Sequence, residues 1–155
     1  MTPAIHAARD AKVAHRVIEY PSDVERGYGL EAERALGVDG ERIYKTLLAK
    51  LDGARLVVAL VPVTTELNLK ALAGAAGAKR AEMATPREAE RATGYVVGGI
   101  SPLGQRRALP TFVDAGVVKH ETVYVSAGRR GLELELAPAG LIELCRATTA
   151  DIARR

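Results

Sequence analysis

The sequence predicts an α/β chain of the α+β type. Residues 1–155 form one domain, with a mixed and mostly antiparallel sheet, or a partly closed barrel, and helices packed around it. Three observations carry this prediction. Helical and strand patterns alternate along the chain, giving about five helices and six or seven strands. Some neighbouring strands are joined by turn signals, which favours antiparallel hairpins, while others are separated by helices. No repeat, low-complexity tract or long linker divides the chain, and its 155 residues are enough for one core without disulfide staples.

The elements follow in order. Thr2-Pro3 reads as an N-cap with proline at the first helical position, opening a helix to about Val13. Residues 16–20 read as a short strand stopped by Pro21. Residues 30–36 read as a helix ended by Gly37. Residues 43–51 and 56–63 are β-rich runs around Asp52-Gly53, a hairpin signal. Residues 65–76 have amphipathic helical spacing and stop at Gly77. Thr85-Pro86-Arg87-Glu88 combines a cap, a proline at N1 and a glutamate at N3, so a helix starts there and ends at Gly94. Residues 95–97, 111–113, 122–126 and 132–136 are expected strands, the last two joined by a turn at 128–131. Residues 138–147 read as a closing helix.

Composition narrows the function classes. Apolar residues make up 48% and charged residues 26%, which argues against a wholly disordered chain. No apolar run approaches the length of a membrane span, and the first six residues show no signal-peptide pattern. The single cysteine, Cys145, excludes an internal disulfide and a cysteine-cluster metal site. Its spacing with Leu141, Ile142 and Leu144 places it on an apolar helix face, packed rather than reactive. The charge is 22 basic against 19 acidic residues, and 16 of the basic residues are arginine. Arginine grips phosphate well, so the balance permits a polyanionic partner without requiring one. Phe112 and five tyrosines are too few aromatics for a stacking platform that reads single-stranded nucleic acid.

The most unusual stretch is Thr93-Gly94-Tyr95-Val96-Val97-Gly98-Gly99-Ile100-Ser101-Pro102-Leu103-Gly104-Gln105, with four glycines in eleven residues. Glycine serves where φ is positive or where something approaches the backbone closely. Adjacent glycines leaving a strand can present N–H groups to an anion or an oxyanion, although a plain irregular loop has the same composition. The stretch matches neither the phosphate-loop nor the dinucleotide fingerprint. Lys45 lies in a run that reads as strand, where alternation puts it with Leu47 on one face and Tyr44, Thr46 and Leu48 on the other. Such a lysine either snorkels out at a sheet edge or points into a cleft. His6, His15 and His120 lack metal-ligand spacing, so no metal site is expected. A triad of Ser101, His120 and Asp114 can be written, but no nucleophile elbow supports it. Arg106-Arg107, Arg129-Arg130 and Lys79-Arg80 are loop pairs that are usually solvated and can touch phosphates.

Residues 93–105 as quoted above resemble the signature of the YbaK/EbsC family, which is similar to the editing domain of bacterial prolyl-tRNA synthetases. The resemblance runs along the chain: Met1-Thr2-Pro3-Ala4, Ile43-Tyr44-Lys45-Thr46-Leu47-Leu48, Leu67-Asn68-Leu69-Lys70, Gly77-Ala78-Lys79, Glu82-Met83-Ala84, Leu109-Pro110-Thr111, Tyr124-Val125-Ser126, Arg130-Gly131-Leu132 and Ala150-Asp151-Ile152-Ala153-Arg154 all resemble its Cys-tRNA(Pro) deacylase branch. The resemblance implies a free-standing, cytoplasmic trans-editing enzyme that hydrolyses mischarged Cys-tRNA(Pro), with Cys-tRNA(Cys) as a further candidate substrate. It needs no cofactor. Its partners are the acceptor end of tRNA and prolyl-tRNA synthetase, with no part for DNA or a membrane. It also implies the site. Lys45, Gly99 and Ser101 carry the catalytic positions, and Tyr20, Tyr28, Gly98, Ile100, Pro102 and Glu133 line the substrate pocket. Tyr28 stands where relatives often have phenylalanine, and Glu133 where they have aspartate, one methylene shorter. The branch is implied to let the substrate's own thiol attack the ester, the protein supplying orientation and oxyanion donors. The alternatives are a deacylase of Ala-tRNA(Pro) or another small aminoacyl-tRNA, and a module that binds tRNA or the synthetase without turnover.

Overall fold

The computed structural model describes residues 1–21 and 28–155, with the side chains of residues 28–31 left undescribed. The chain has the expected α+β architecture, with mixed sheets and α-helices, and no barrel closes among the described residues. The helices are α1 (Pro3–Asp10), α2 (Tyr28–Leu36), α3 (Leu69–Ala75), α4 (Pro86–Thr93) and α5 (Pro138–Cys145). The strands are β1 (His15–Glu19), β2 (Tyr44–Leu51), β3 (Arg55–Pro62), β4 (Glu66–Leu67), β5 (Ala81–Met83), β6 (Thr111–Asp114), β7 (Val123–Arg129), β8 (Leu132–Leu136), β9 (Thr148–Ala150) and β10 (Ala153–Arg154).

A five-stranded sheet has the order β5-β2-β3-β6-β9, antiparallel through β5, β2 and β3 and parallel from β3 onward. A three-stranded antiparallel sheet has the order β1-β8-β7, and β4 pairs with β10. The larger sheet is covered on both faces, which explains the unbroken apolar run of β3. One face gives Leu48, Val58, Leu60 and Val113 to a core shared with Val123, Val125, Leu134 and Leu136 of the smaller sheet and with Ile5 and Leu141 of α1 and α5. The opposite face packs Ala49, Val57, Ala59, Val61 and Phe112 against Leu67, Leu72 and Ile152. A third cluster, Tyr20, Ala32, Ile43 and Tyr124, lies between the smaller sheet and α2.

Several local expectations hold at atomic detail. The hydroxyl of Thr85 accepts the Glu88 N–H at 3.1 Å, and the Glu88 carboxylate accepts the Thr85 N–H at 2.9 Å, closing a capping box. Asp52 and Gly53 turn the β2–β3 hairpin with φ of 51° and 70°.

Others are corrected. The first helix ends at Asp10, and Lys12 turns the chain at φ 57°. The helix expected from Thr65 is capped only at Asn68, whose side chain accepts the Ala71 N–H, because Glu66 and Leu67 are taken by β10. The strand expected at 95–97 does not form. Its two valines are exposed, and the Val97 N–H is held by the Glu90 carboxylate at 2.8 Å. The last helix ends at Cys145, and β4, β5, β9 and β10 were not expected.

Candidate active site

The site grows from a place where two sheets touch and part. Ile43, just before β2, forms an isolated parallel bridge with Tyr124 of β7. Along its length β2 pairs with β3 on one edge, and β5 reaches the other edge only at residues 49–51. Among the described residues no strand pairs with residues 44–47 on that second edge, nor with β7 beyond the bridge on the edge facing β2. Backbone groups on two strand edges are thereby left next to each other, a natural seat for a polar ligand.

Side-chain alternation decides what surrounds the seat. Lys45 shares a face of β2 with Ile43, and Ile43 packs on Tyr20 and Tyr124. On the smaller sheet Ser126 is opposite Glu133, and Glu133 is opposite Ile18. Lys45, Tyr20, Ser126 and Glu133 therefore belong to one continuous side of the two sheets, at the end covered by α2. Thr46 faces the other way, into the main core, and its buried hydroxyl has no hydrogen-bond partner among the described residues. Glu133 is only 1% exposed, and Tyr20, also buried, donates its N–H to the Gly131 carbonyl at 2.9 Å. Tyr28 begins α2, but its side chain lies outside the described residues.

Lys45 also borders an open groove of about 510 Å³ with Thr65, Glu66, Arg154 and Arg155. Its ammonium donates to the Thr65 carbonyl at 2.7 Å. Burial pulls its pKa below the ordinary lysine value, and the nearby Glu66 carboxylate opposes that shift.

The glycine-rich stretch is an Ω-shaped loop. Its ends meet where the Arg106 N–H donates to the Thr93 carbonyl at 2.9 Å. Gly94 leaves α4 at φ 82°, and Gly98 takes φ 97°, a conformation that favours glycine. Gly99 has a different reason to be glycine. A Cβ there would lie 2.7 Å from Arg129 Cα and 2.9 Å from Arg130 N, so the loop rests directly on the β7–β8 turn. Its N–H donates to the Val96 carbonyl at 2.8 Å. Ser101 is fully buried, and its hydroxyl accepts the Leu103 N–H at 3.2 Å. Ile100 packs on the main core and Pro102 is buried. Below them the Tyr95 hydroxyl donates to the Leu103 carbonyl at 2.6 Å, and the Cys145 thiol lies 3.6 Å from the Pro102 carbonyl.

The loop thus meets the turn from which Gly131 holds Tyr20, which links it to the Lys45–Glu133 side. Asp114 is engaged elsewhere, its carboxylate accepting N–H groups of Gly116, Ile152 and Ala153, and the Ser101 hydroxyl serves its own loop. Among the described residues no cluster of histidine, cysteine and carboxylates is arranged to hold a metal ion, and no helix is long and apolar enough to cross a membrane. Sequence reasoning passed over Ser126. Only the register opposite Glu133 brings it to this side.

Comparisons with known proteins show the family to which the chain belongs. Residues 28–144 match the model of the aminoacyl-tRNA editing domain. EbsC of Enterococcus faecalis, provisionally named a Cys-tRNA(Pro)/Cys-tRNA(Cys) deacylase, is 34% identical over 151 residues, covering 97% of this chain and 92% of its own. A proline–tRNA ligase of Nitratidesulfovibrio vulgaris is 39% identical over 84 residues, which is 54% of this chain and 14% of that enzyme. A solved structure provisionally described as a trans-editing enzyme for prolyl-tRNA synthetase shares the fold, with a TM-score of 0.84 at 23% identity over 100% of this chain and 99% of that one. The chain belongs to the aminoacyl-tRNA editing domain family.

Proposed function

We propose that this chain cleaves cysteine from mischarged Cys-tRNA(Pro), using the substrate's own thiol as nucleophile. The coarser activity, deacylation of an aminoacyl-tRNA, goes with the family and with the relative that spans nearly the whole chain. The observation that carries the finer reading is the pairing of Lys45 and the open strand edges with a loop wall fixed by its own hydrogen bonds. That arrangement suits orientation of a substrate more than activation of a protein nucleophile. Lys45 holds the phosphate of the 3′-terminal adenosine or orients the aminoacyl end. Gly98 and Gly99 form the wall beside the ester, and Tyr20 and Glu133 close the pocket. Ser101, Ile100 and Pro102 are positioning residues that set the loop's shape from beneath.

The chemistry asks little of the protein. An aminoacyl ester is more reactive than an amide, and a thiol held against its carbonyl gains from proximity. The sulfur attacks the carbonyl carbon, the bond to the ribose oxygen breaks, and that oxygen takes up the thiol proton. The products are free tRNA and a cyclic thioester, which water then opens. Editing of this kind is needed because cysteine and proline are close in size, and an apolar pocket separates such pairs by only about 1–3 kcal/mol. The relation to proline–tRNA ligases supports prolyl-tRNA synthetase as the partner whose errors are removed.

The test is single-turnover deacylation of cysteinyl-, seryl-, alanyl- and prolyl-tRNA(Pro). Cysteine and serine have nearly the same shape, but the hydroxyl is a far weaker nucleophile than a thiol of pKa about 8.5. The cysteinyl ester should turn over at least a hundredfold faster than the seryl ester. Equal rates would replace thiol attack by water attack. Cleavage of the alanyl ester in preference to cysteinyl would move the chain to the alanyl alternative.

A further inference from the structure

We propose that Arg154 and Arg155 form a phosphate-binding rim on the Lys45 groove and take the sugar–phosphate backbone of the tRNA's single-stranded 3′ end. This rests on the aminoacyl-tRNA reading above and deepens it. Three cations, Lys45, Arg154 and Arg155, border the groove with the carboxylate of Glu66, and Glu41 reaches Arg155 from beside it. A groove so charged suits a polyanion that runs through it.

The two arginines are delivered by a built segment rather than a loose tail. Ile152 is completely buried in the second core. The Ile152 and Ala153 N–H groups donate to one oxygen of the buried Asp114 carboxylate at 3.1 and 3.0 Å, and the Asn68 N–H donates to the Ile152 carbonyl at 2.7 Å. β10 then pairs with β4, setting Arg154 opposite Glu66. A buried carboxylate that accepts several backbone N–H groups fixes a chain direction strongly.

Beyond that anchor the holding is weak. Arg154 meets Glu66 at 3.2 Å with side chains 64% and 76% exposed, and Arg155 meets Glu41 at 2.7 Å with side chains 55% and 34% exposed. Exposed ion pairs hold loosely, whereas a phosphate offers arginine a bidentate, charge-assisted contact. Neither acid is stranded by the exchange. Glu41 keeps the hydroxyl of Thr64, and Glu66 already acts on the charge of Lys45.

The probe is uncharged tRNA(Pro), bound to the full chain and to the Arg154→Gln/Arg155→Gln double variant over a series of salt concentrations. The double variant should weaken binding at least tenfold. The slope of log K against log salt should flatten by about 1.4, two phosphate contacts at about 0.7 each. In deacylation the rise in KM should exceed the fall in kcat. Arg87→Gln, which removes an exposed charge on α4, is the control and should leave the slope as it is. If the double variant fails to fold, each single variant carries the same measurement at about half the slope change. Unchanged binding and slope in a folded variant would overturn the rim. A wild-type chain that deacylates no aminoacyl-tRNA would overturn the functional reading instead, and the binding series would still report on the rim.

Discussion

The loop of residues 94–105 and the groove at Lys45 are held in different ways. In the loop, polar groups are engaged internally: Tyr95 with Leu103, Ser101 with Leu103, Gly99 with Val96, Arg106 with Thr93. Gly99 touches the backbone of the neighbouring turn. In the groove, the contacts are a lysine on one carbonyl and two exposed ion pairs. The loop is a wall whose shape depends on close packing at Gly99, where an added carbon would meet backbone. The groove is a set of exchangeable charges, so it tolerates changes of shape and responds to charge and pH.

The largest expected effect breaks the wall. Gly99→Val would drive a branched side chain into Arg129 Cα and Arg130 N, backbone atoms that cannot rotate away. Overpacking of this kind costs about 1–3 kcal/mol, and relief comes only by lifting the loop off the β7–β8 turn. Deacylation should fall by about a hundredfold or more, with a lower melting temperature. A Gly99→Val protein with full activity would mean that the wall takes no part in the site.

Next comes the charge. Lys45→Ala should cut deacylation at least tenfold, about 1.4 kcal/mol of transition-state binding, while the melting temperature stays close to that of the parent. Activity within twofold would remove Lys45 from the site. The pH profile sharpens the point. The rate should rise toward the substrate thiol's pKa of about 8.5. Burial pulls the Lys45 pKa below its ordinary value, so the ammonium is lost at lower pH than in a solvated lysine. The alkaline limb should therefore fall before the usual lysine range, and Lys45→Arg should push that limb upward. A limb that stays in place with arginine would assign it to another group.

A subtler change loosens the wall without adding atoms. Tyr95→Phe removes the hydroxyl that donates to the Leu103 carbonyl, in a buried setting where the phenol's pKa is pushed up to about 12 by burial. An acceptor left unpaired costs about 1–3 kcal/mol. The expected result is a melting temperature lower by several degrees and a severalfold loss of rate. An unchanged melting curve would show that the loop's shape does not depend on this bond.

What could be read in advance follows the same division between local and distant causes. Helix α4 was legible because its cap, its N3 glutamate and its terminal glycine are neighbours in sequence. The β2–β3 hairpin was legible for the same reason, and strand alternation placed Lys45 on the correct face. Strands β9 and β10 were not legible. They are short, and they exist because β6 and β4, far away in the chain, offer them an edge. Residues 95–97 misled because two valines favour a strand that no partner completes among the described residues. In the site, Ser126 gains meaning only from the Ser126–Glu133 register. Gly99 was expected to need a positive φ or room for the ester. The positive φ belongs to Gly98, and the close approach at Gly99 is that of the β7–β8 turn.

The smallest expected effect concerns Cys145, which sits under the wall without forming its surface. The thiol is 3.6 Å from the Pro102 carbonyl, and burial pushes its pKa up to about 12. It is therefore protonated at neutral pH and packed against the main core. Serine at this position is smaller and more polar, yet its hydroxyl can donate to the same carbonyl. Cys145→Ser should keep deacylation within about twofold. A loss near 1 kcal/mol in packing would lower the melting temperature by roughly 2–4 °C. The folded wild-type thiol should also react slowly with a thiol reagent, and rapidly once the chain is unfolded. Loss of activity in Cys145→Ser with an unchanged melting curve would point to a protein thiol as nucleophile. That result would displace substrate-thiol attack while leaving the family and the deacylation in place.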